Sequence, residues 1–116
     1  MKRADIIVAR LPHADGSPGK VRPGIVVQCD QLNRQLQSTL VAVITSNTKR
    51  VEREPTQFLI DPSTSEGASS GLSYPSAVKC ENISTIRQDA VVDVLGRLSD
   101  DLIEKLDECL KAALEL

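Results

Sequence analysis

Side chains that could act on a phosphate occur at three places in the sequence, each at the end of an apolar stretch. They are Arg22, the neighbouring pair Thr45 and Ser46, and the pair Lys79 and Glu81. A guanidinium can stabilise charge that develops on a phosphate, and a carboxylate can accept a proton. Combined with a nearby hydroxyl, these groups could act on a phosphodiester.

Each position also has an ordinary structural explanation. Arg22 could be a surface residue that begins a strand, the two hydroxyl residues could cap a turn, and the lysine and glutamate could form an exposed ion pair. His13 is the only histidine and lies in a polar loop, which is typical of a solvated residue. A mechanism with two histidines in one chain is therefore excluded, and the residues alone indicate a β-rich domain with a candidate anion site.

The charge and aromatic content limit how such a chain could bind nucleic acid. The 116 residues carry a net charge of -2 and include no Trp, with Phe58 and Tyr74 as the only aromatic residues. Base stacking on aromatic side chains is thus nearly unavailable. Lys and Arg outnumber Asp and Glu nine to five in residues 1–55, whereas residues 56–116 hold five against eleven. The first half could therefore form a basic face on an acidic protein.

The cysteines and the apolar runs indicate the cell compartment. Cys29, Cys80 and Cys109 are far apart and form no Cys-x-x-Cys motif, which argues against a zinc site. An odd number of scattered thiols predicts a reducing cytoplasm. The charged N-terminus does not resemble a signal peptide, and no apolar run has the length of a membrane span.

Several short strands and two helices must position the candidate residues. Strands are predicted over 4–11, from Arg22 to about Gln28, and over 39–45, 56–61, 77–81, 83–86 and 91–95. Pro23 favours an extended Arg22 at the point where a polar loop becomes a strand. The loop that precedes it, 12–20, is expected to be mobile. Apolar residues at 25–27 predict burial on both faces.

Helices are predicted after Asp30 and after Ser99, since both are good N-cap residues. The first helix, 31–37, would carry Leu32 and Leu36 on one face, and the second would span about 15 residues to the C-terminus. Short strands that alternate with turns, followed by a closing helix, favour a small and strongly bent antiparallel sheet or barrel.

Motifs along nearly the whole chain resemble the MazF/PemK toxin family. They are DIIV at 5–8, Gly16 and Gly19, VRP at 21–23, LN at 32–33, VITS at 43–46, PT at 55–56, CENISTI at 80–86 and GRLSD at 96–100. The resemblance implies a mainly-β fold, a small SH3-like barrel with a short helix and a C-terminal helix, in one domain over 1–116. It also implies a ribosome-independent, metal-independent and cofactor-free endoribonuclease that acts on single-stranded RNA, forms a homodimer, is neutralised by a MazE-like antitoxin and does not involve a membrane.

The resemblance assigns roles to individual residues. Arg22 and Thr45 match the catalytic positions, and Glu81 is a candidate proton acceptor. RNA contacts are expected from Ser17, Lys20, Ser46, Asn47, Arg50 and Lys79. One plasmid-borne member of the family has a functional histidine in its first loop. The matching position in this chain is near Ser17, so alignment does not assign that role to His13.

Two departures and two alternatives accompany this interpretation. Ala4 stands where the family usually has Gly, and Ser84 replaces a cation that contacts RNA.

A non-catalytic, gyrase-poisoning toxin of the CcdB type shares the fold, but it ends in Trp-Gly-Ile, whereas this chain ends in Leu-Glu-Leu. An inactive homologue that only binds an antitoxin is the other alternative.

Overall fold

Six antiparallel strands form a single sheet in the computed structural model, which describes residues 1–116. The strands are β1 (Asp5–Leu11), β2 (Lys20–Val26), β3 (Ser38–Thr45), β4 (Gln57–Ile60), β5 (Ser76–Arg87) and β6 (Asp93–Arg97). Their order across the sheet is β4-β5-β3-β2-β1-β6. The long apolar segment 39–45 was predicted as a central strand, and β3 confirms this.

The sheet is buried on both faces because adjacent residues of a strand enter different cores. Ile6 and Ile25 pack in a cluster that includes buried residues of the C-terminal helix, whereas Ile7 and Val26 pack in a second cluster that contains no helical residue. The sheet therefore curls around this second cluster. The predicted mainly-β, strongly bent architecture is confirmed, with β4 and β6 as the two edges of the curled sheet.

The C-terminal helix α2, Asp100–Leu114, agrees with its prediction. Ser99 occupies the N-cap, where its side-chain oxygen accepts a hydrogen bond from the Leu102 amide at 3.3 Å. Leu102, Leu106 and Cys109 are buried against the sheet. Neither this helix nor the shorter one has the length and apolar character needed to cross a lipid bilayer.

The short helix α1, Asp30–Gln35, begins and ends earlier than the predicted helix over 31–37. Cys29, not Asp30, is at the N-cap, and Leu32 and Leu36 are 40% and 46% exposed. Asn33 is the buried residue of this helix. Both ends of its amide side chain are hydrogen-bonded, because Nδ2 donates to the backbone oxygen of Gln28 at 2.9 Å and Oδ1 accepts from Thr39 Oγ1 at 2.7 Å. Hydrogen bonds of Asn33, and not burial of the two leucines, therefore fix this helix against the neighbouring chain.

The segments predicted as strands 77–81 and 83–86 form one continuous strand, β5. Its pairing with β3 shifts at one point, since Val43 faces Lys79 but Ala42 faces Ile83. The intervening residues 80–82 have no partner in β3 and form a bulge. A bulge of this kind bends a strand and increases its twist, so β5 contributes to the curl of the sheet.

The sequence predicts that Arg22 begins a strand. In the structure β2 begins at Lys20, so Arg22 lies inside the strand. It faces Ala9 of β1, and Pro23 faces Val8. Pairing of β2 with β3 begins only at Gly24. Pro23 therefore lies where the strand has a neighbour on one side only, and its missing N–H is tolerated there.

Candidate functional site

Two adjoining cavities lie at the end of the sheet where β2 begins and β3 ends. The first has a volume of about 430 Å³ and the second about 280 Å³, and Thr45 lines both. We call the two cavities together the groove. Lys20, Arg22, Thr45 and Ser46 line the first cavity, and Thr45, Asn47, Arg50 and Lys79 line the second. All predicted site residues except Ser17 and Glu81 therefore meet in one place.

The groove is positively charged although the protein is acidic. Its walls include Lys20, Arg22, Arg50 and Lys79, and no Asp or Glu lines either cavity. The 16 acidic residues of the chain lie elsewhere. Charges of one sign that line a cleft raise the local concentration of the opposite ion, so the groove suits a polyanion.

The register of the sheet brings Arg22 and Thr45 together. Val43 of β3 faces Gly24 of β2, and the two strands run antiparallel. Arg22 and Thr45 each lie two residues beyond this last pair, on the two strands that it joins, and both side chains line the first cavity. Residues far apart in sequence thus face the same space from two rigid strands.

Arg22 has a hydrogen-bond donor with no partner. The side chain is half-buried, and its Nε atom is buried without an acceptor. Buried polar atoms in proteins almost always have a partner. A phosphate or carboxylate in the cavity could accept this hydrogen bond, since arginine prefers planar, multidentate contacts with such groups. The unused donor therefore indicates an anion site at Arg22.

Thr45 is oriented to donate a hydrogen bond. Its Oγ1 accepts from the backbone amide of Asn47 at 3.2 Å. The hydroxyl donates no hydrogen bond within the protein, so its proton can be donated to an acceptor in the groove. The Asn47 side-chain oxygen in turn accepts from the Lys49 amide at 3.1 Å, which fixes the turn after β3.

His13 contacts Arg22, which the sequence did not predict. Its Nδ1 lies 3.0 Å from Nη2 of the guanidinium. Arginine can only donate, so His13 must present a lone pair at Nδ1 and carry its proton on Nε2. The imidazole thereby holds one side of the Arg22 guanidinium.

A tight turn brings His13 to this position. The His13 amide donates to the Ser17 carbonyl at 3.3 Å, and the Gly16 amide donates to the His13 carbonyl at 3.0 Å. Gly16 has a φ of +85°, which a glycine adopts without strain. The Asp15 carboxylate accepts from the Ser17 hydroxyl and amide, which lowers the pKa of Asp15. The loop expected to be mobile is thus closed by hydrogen bonds.

This turn explains why alignment missed His13. Ser17 lines neither cavity, but it faces His13 directly across the turn. The backbones of positions 13 and 17 are therefore adjacent in space. Sequence comparison aligns residues along the chain and does not reveal that the two positions are paired.

Glu81 lies outside the groove. It is exposed in the β5 bulge, and its carboxylate accepts hydrogen bonds from Thr56 Oγ1 at 3.0 Å and Gln57 Nε2 at 2.8 Å. Lys79 and Glu81 form no ion pair, whereas Gln57 lines the second cavity beside Lys79. The structure therefore connects Glu81 to the groove through Gln57 and not through Arg22. Ser84 faces Val41 of β3 and also lies outside the groove.

No group of three or more His, Cys, Asp or Glu side chains is arranged to hold a metal ion. The polar groups that face the groove are cations, hydroxyls and amides, which favour contact with an anionic ligand.

The sequence model of one family matches residues 2–114, and that family is described as the PemK-like, MazF-like toxins of type II toxin-antitoxin systems. The chain belongs to this family. Its members EndoA of Bacillus subtilis and MazF6 of Mycobacterium tuberculosis are both named endoribonucleases. Each is 33% identical to this chain over its full length, which corresponds to 96% of EndoA and 98% of MazF6.

Solved structures of toxins in this family share the fold. The Mycobacterium tuberculosis toxin MazF-mt6 superposes with a TM-score of 0.76 at 27% identity, over 97% of both chains. A mycobacterial endoribonuclease in complex with its cognate antitoxin gives a TM-score of 0.77 at 22% identity, over 100% of this chain and 96% of that one. The predicted family and fold are therefore both confirmed.

Proposed function

We propose that this toxin-family protein is an endoribonuclease that cuts single-stranded RNA at specific sequences without the ribosome, a metal ion or a cofactor. The observation that carries the proposal is the unpaired Nε donor of Arg22 beside the Thr45 hydroxyl, in a groove lined by four cations. The endoribonuclease names of relatives at 33% identity support it.

In the proposed reaction the RNA supplies its own nucleophile. The ribose 2′-oxygen loses its proton and attacks the adjacent phosphorus, the bond to the 5′-oxygen breaks, and that oxygen gains a proton. The products are a 2′,3′-cyclic phosphate and a 5′-hydroxyl, and no water is consumed. Arg22 would stabilise the charge on the pentacovalent phosphorus, with Thr45 as a second donor.

The remaining site residues would bind and position the RNA. We assign phosphate and sugar contacts to Lys20, Ser46, Asn47, Arg50 and Lys79. Ser17 would act through the turn that carries His13, and Glu81 through its hydrogen bond to Gln57. His13 contacts the phosphate-binding side chain directly, so it is better situated than Glu81 to influence proton transfer.

The same proposal covers the partners and the organisation of the chain. We propose one toxin domain over residues 1–116 that forms a homodimer in the cytoplasm, where its three free thiols remain reduced. A MazE-like antitoxin would lay an acidic, partly extended segment in the groove, because a flexible anion can occupy the RNA site. Saturating antitoxin should then prevent the binding of a short RNA.

Incubation of the purified protein with a long RNA in the presence of EDTA, followed by mapping of the 5′ ends, tests this function. We expect cuts at a recurring sequence, 2′,3′-cyclic phosphate ends, and no cleavage when the 2′-hydroxyl at the cut site is replaced by hydrogen or a methoxy group. Folded Arg22→Ala protein is the control for a contaminating nuclease.

Two results would contradict the proposal. A substituted RNA that is cut at the same bond and rate would mean that water or a protein group attacks the phosphorus. A folded wild-type protein that binds antitoxin but leaves RNA intact under all conditions would identify a non-catalytic member of the family.

A further inference from the structure

The chain has one aromatic side chain that a ligand can reach. Phe58 is 4% exposed and there is no Trp, whereas Tyr74 is 59% exposed. Tyr74 lines the first cavity together with Arg22 and Thr45. A chain with one Phe and one Tyr therefore places its only exposed six-membered aromatic ring in the wall of the anion site.

The loop that carries Tyr74 is held in place on both sides. Gly71 has a φ of +74°, and a Cβ there would lie 2.0 Å from the Leu95 carbonyl oxygen, so the loop packs tightly on β6. The Ser76 hydroxyl donates to the Tyr74 carbonyl at 3.0 Å. Pro75 further restricts the backbone of Tyr74 to extended conformations. The ring is thus presented from a fixed backbone, which limits the entropy lost on binding.

The surroundings of the ring fit a nucleotide in size and chemistry. The cavity of about 430 Å³ falls within the range of roughly 300–1,000 Å³ that is usual for small-molecule sites. Leu72 and Leu95 provide apolar surface, Ser73 provides a hydroxyl, and Arg22 provides the phosphate contact. A base stacked on the ring and a phosphate at the guanidinium would both lie in this cavity.

We propose that Tyr74 forms a stacking subsite for the base of a nucleotide that flanks the scissile phosphate. This inference rests on the proposed ribonuclease function and adds a binding residue to it. Stacking on an aromatic ring tolerates any base, because every base has a π-face. Tyr74 should therefore contribute to the affinity for single strands, and the groove hydroxyls and amides should contribute to sequence preference.

The composition of the chain provides a direct probe of this subsite. Tyr74 is the only tyrosine and there is no tryptophan, so the intrinsic fluorescence of the protein reports on this ring alone. The probe is a random-sequence, single-stranded 2′-methoxy RNA about ten nucleotides long, which offers stacking bases and cannot be cut through the 2′-oxygen. We expect saturable quenching of tyrosine emission at low salt, with free N-acetyltyrosinamide as the control for light absorbed by the RNA.

Substitutions separate stacking from other roles of the side chain. Tyr74→Ala should weaken binding of this RNA roughly 5- to 150-fold, the range expected for loss of one stacked base. Tyr74→Phe keeps the ring and should bind within about twofold of wild type. Val92→Ala, at a residue that is 68% exposed and outside the groove, is the matched control and should have no effect.

The outcomes distinguish failure of the proposed stacking subsite from failure of the proposed ribonuclease function. If Tyr74→Ala binds RNA as tightly as wild type, or if Tyr74→Phe is as weak as Tyr74→Ala, the ring does not stack on a base and the proposal is wrong. If Tyr74→Ala reduces only the affinity for antitoxin, the ring serves a protein partner instead. Loss of RNA cleavage in Arg22→Ala, with normal cleavage and binding in Tyr74→Ala, would leave the ribonuclease function standing without this subsite.

Discussion

Nδ1 of His13 accepts a hydrogen bond from Nη2 of Arg22 over 3.0 Å, and this contact joins the β1–β2 turn to the anion site. The guanidinium is thereby held on one side, while its buried Nε has no hydrogen-bond partner within the protein. Residues that lock the rotamer of a catalytic group contribute to catalysis without touching the substrate.

Replacement of His13 should reduce cleavage only when the new side chain offers no hydrogen-bond acceptor to Arg22. We expect His13→Ala to lower kcat/KM about tenfold, which corresponds to about 1.4 kcal/mol of transition-state stabilisation. His13→Asn can place an oxygen near the former Nδ1 position and should recover most of the activity. Equal activity of both variants and wild type would show that the contact has no role, and loss in both would indicate that the imidazole itself transfers a proton.

Arg22→Ala should abolish most RNA cleavage while the fold persists. The expected loss of transition-state stabilisation is about 2–4 kcal/mol, as for removal of one preorganised donor. Arg22→Lys should recover activity only in part, because an ammonium lacks the planar fork of donors. Thr45→Ala should have a smaller effect. Single-turnover cleavage rates measure these effects, circular dichroism checks folding, and a wild-type rate in folded Arg22→Ala would refute the assignment.

Glu81→Gln distinguishes a positioning role from proton transfer. The carboxylate accepts bonds from Thr56 and Gln57 and does not line the groove. A glutamine retains an acceptor oxygen, so we expect kcat to fall less than about threefold, whereas removal of a general base typically costs about 10²- to 10⁴-fold. The pH profile of kcat should also keep its shape. A large decrease in kcat would restore Glu81 as the proton acceptor.

Asn33→Leu should destabilise the protein, although leucine is apolar and similar in size to asparagine. The substitution leaves Gln28 and Thr39 without their bonds to the buried Asn33 Oδ1. Unsatisfied buried polar groups cost about 1–3 kcal/mol each, so we expect a loss of about 2–4 kcal/mol in urea unfolding. Leu32→Asn, at the exposed neighbouring position, is the control and should change stability by less than about 0.5 kcal/mol.

One thiol per chain should react with Ellman's reagent in the native protein at pH 8. Burial raises the pKa of Cys80 to about 12 and also raises the pKa of Cys109, so both remain protonated at that pH. Cys29 is exposed. All three should react in guanidinium chloride. Rapid reaction of more than one native thiol would mean that α2 separates readily from the sheet.

The convergence of Arg22 and Thr45 could be predicted from the sequence because it depends on strand ends, and antiparallel strands bring the start of one to the end of the next. The contact between His13 and Arg22 could not be predicted, because it depends on a turn that pairs positions 13 and 17. The buried face of α1 could not be predicted, because leucine spacing indicates only that two side chains share a face. A buried hydrogen-bond network around Asn33 decides which face meets the core.

Tyr74 shows a different limit of sequence reasoning. A count of aromatic residues predicts little stacking, since it treats every position as equal. The fold buries Phe58 and places the remaining ring beside the anion site. In a chain this poor in aromatic residues, the location of one side chain matters more than the composition.

The backbone of Ala4 limits which residues this position accepts. Its φ of +76° is left-handed, and it is fixed by bonds from its amide to Val26 and from Leu98 to its carbonyl. That conformation costs an L-residue about 1–2 kcal/mol. Burial of the alanine methyl group stabilises the folded state by about 0.8 kcal/mol. Alanine also lowers the conformational entropy of the unfolded chain relative to glycine, which stabilises the folded state by about 0.4–1 kcal/mol. Glycine and alanine are thus nearly equal in stability there, whereas β-branched residues are incompatible with the left-handed backbone.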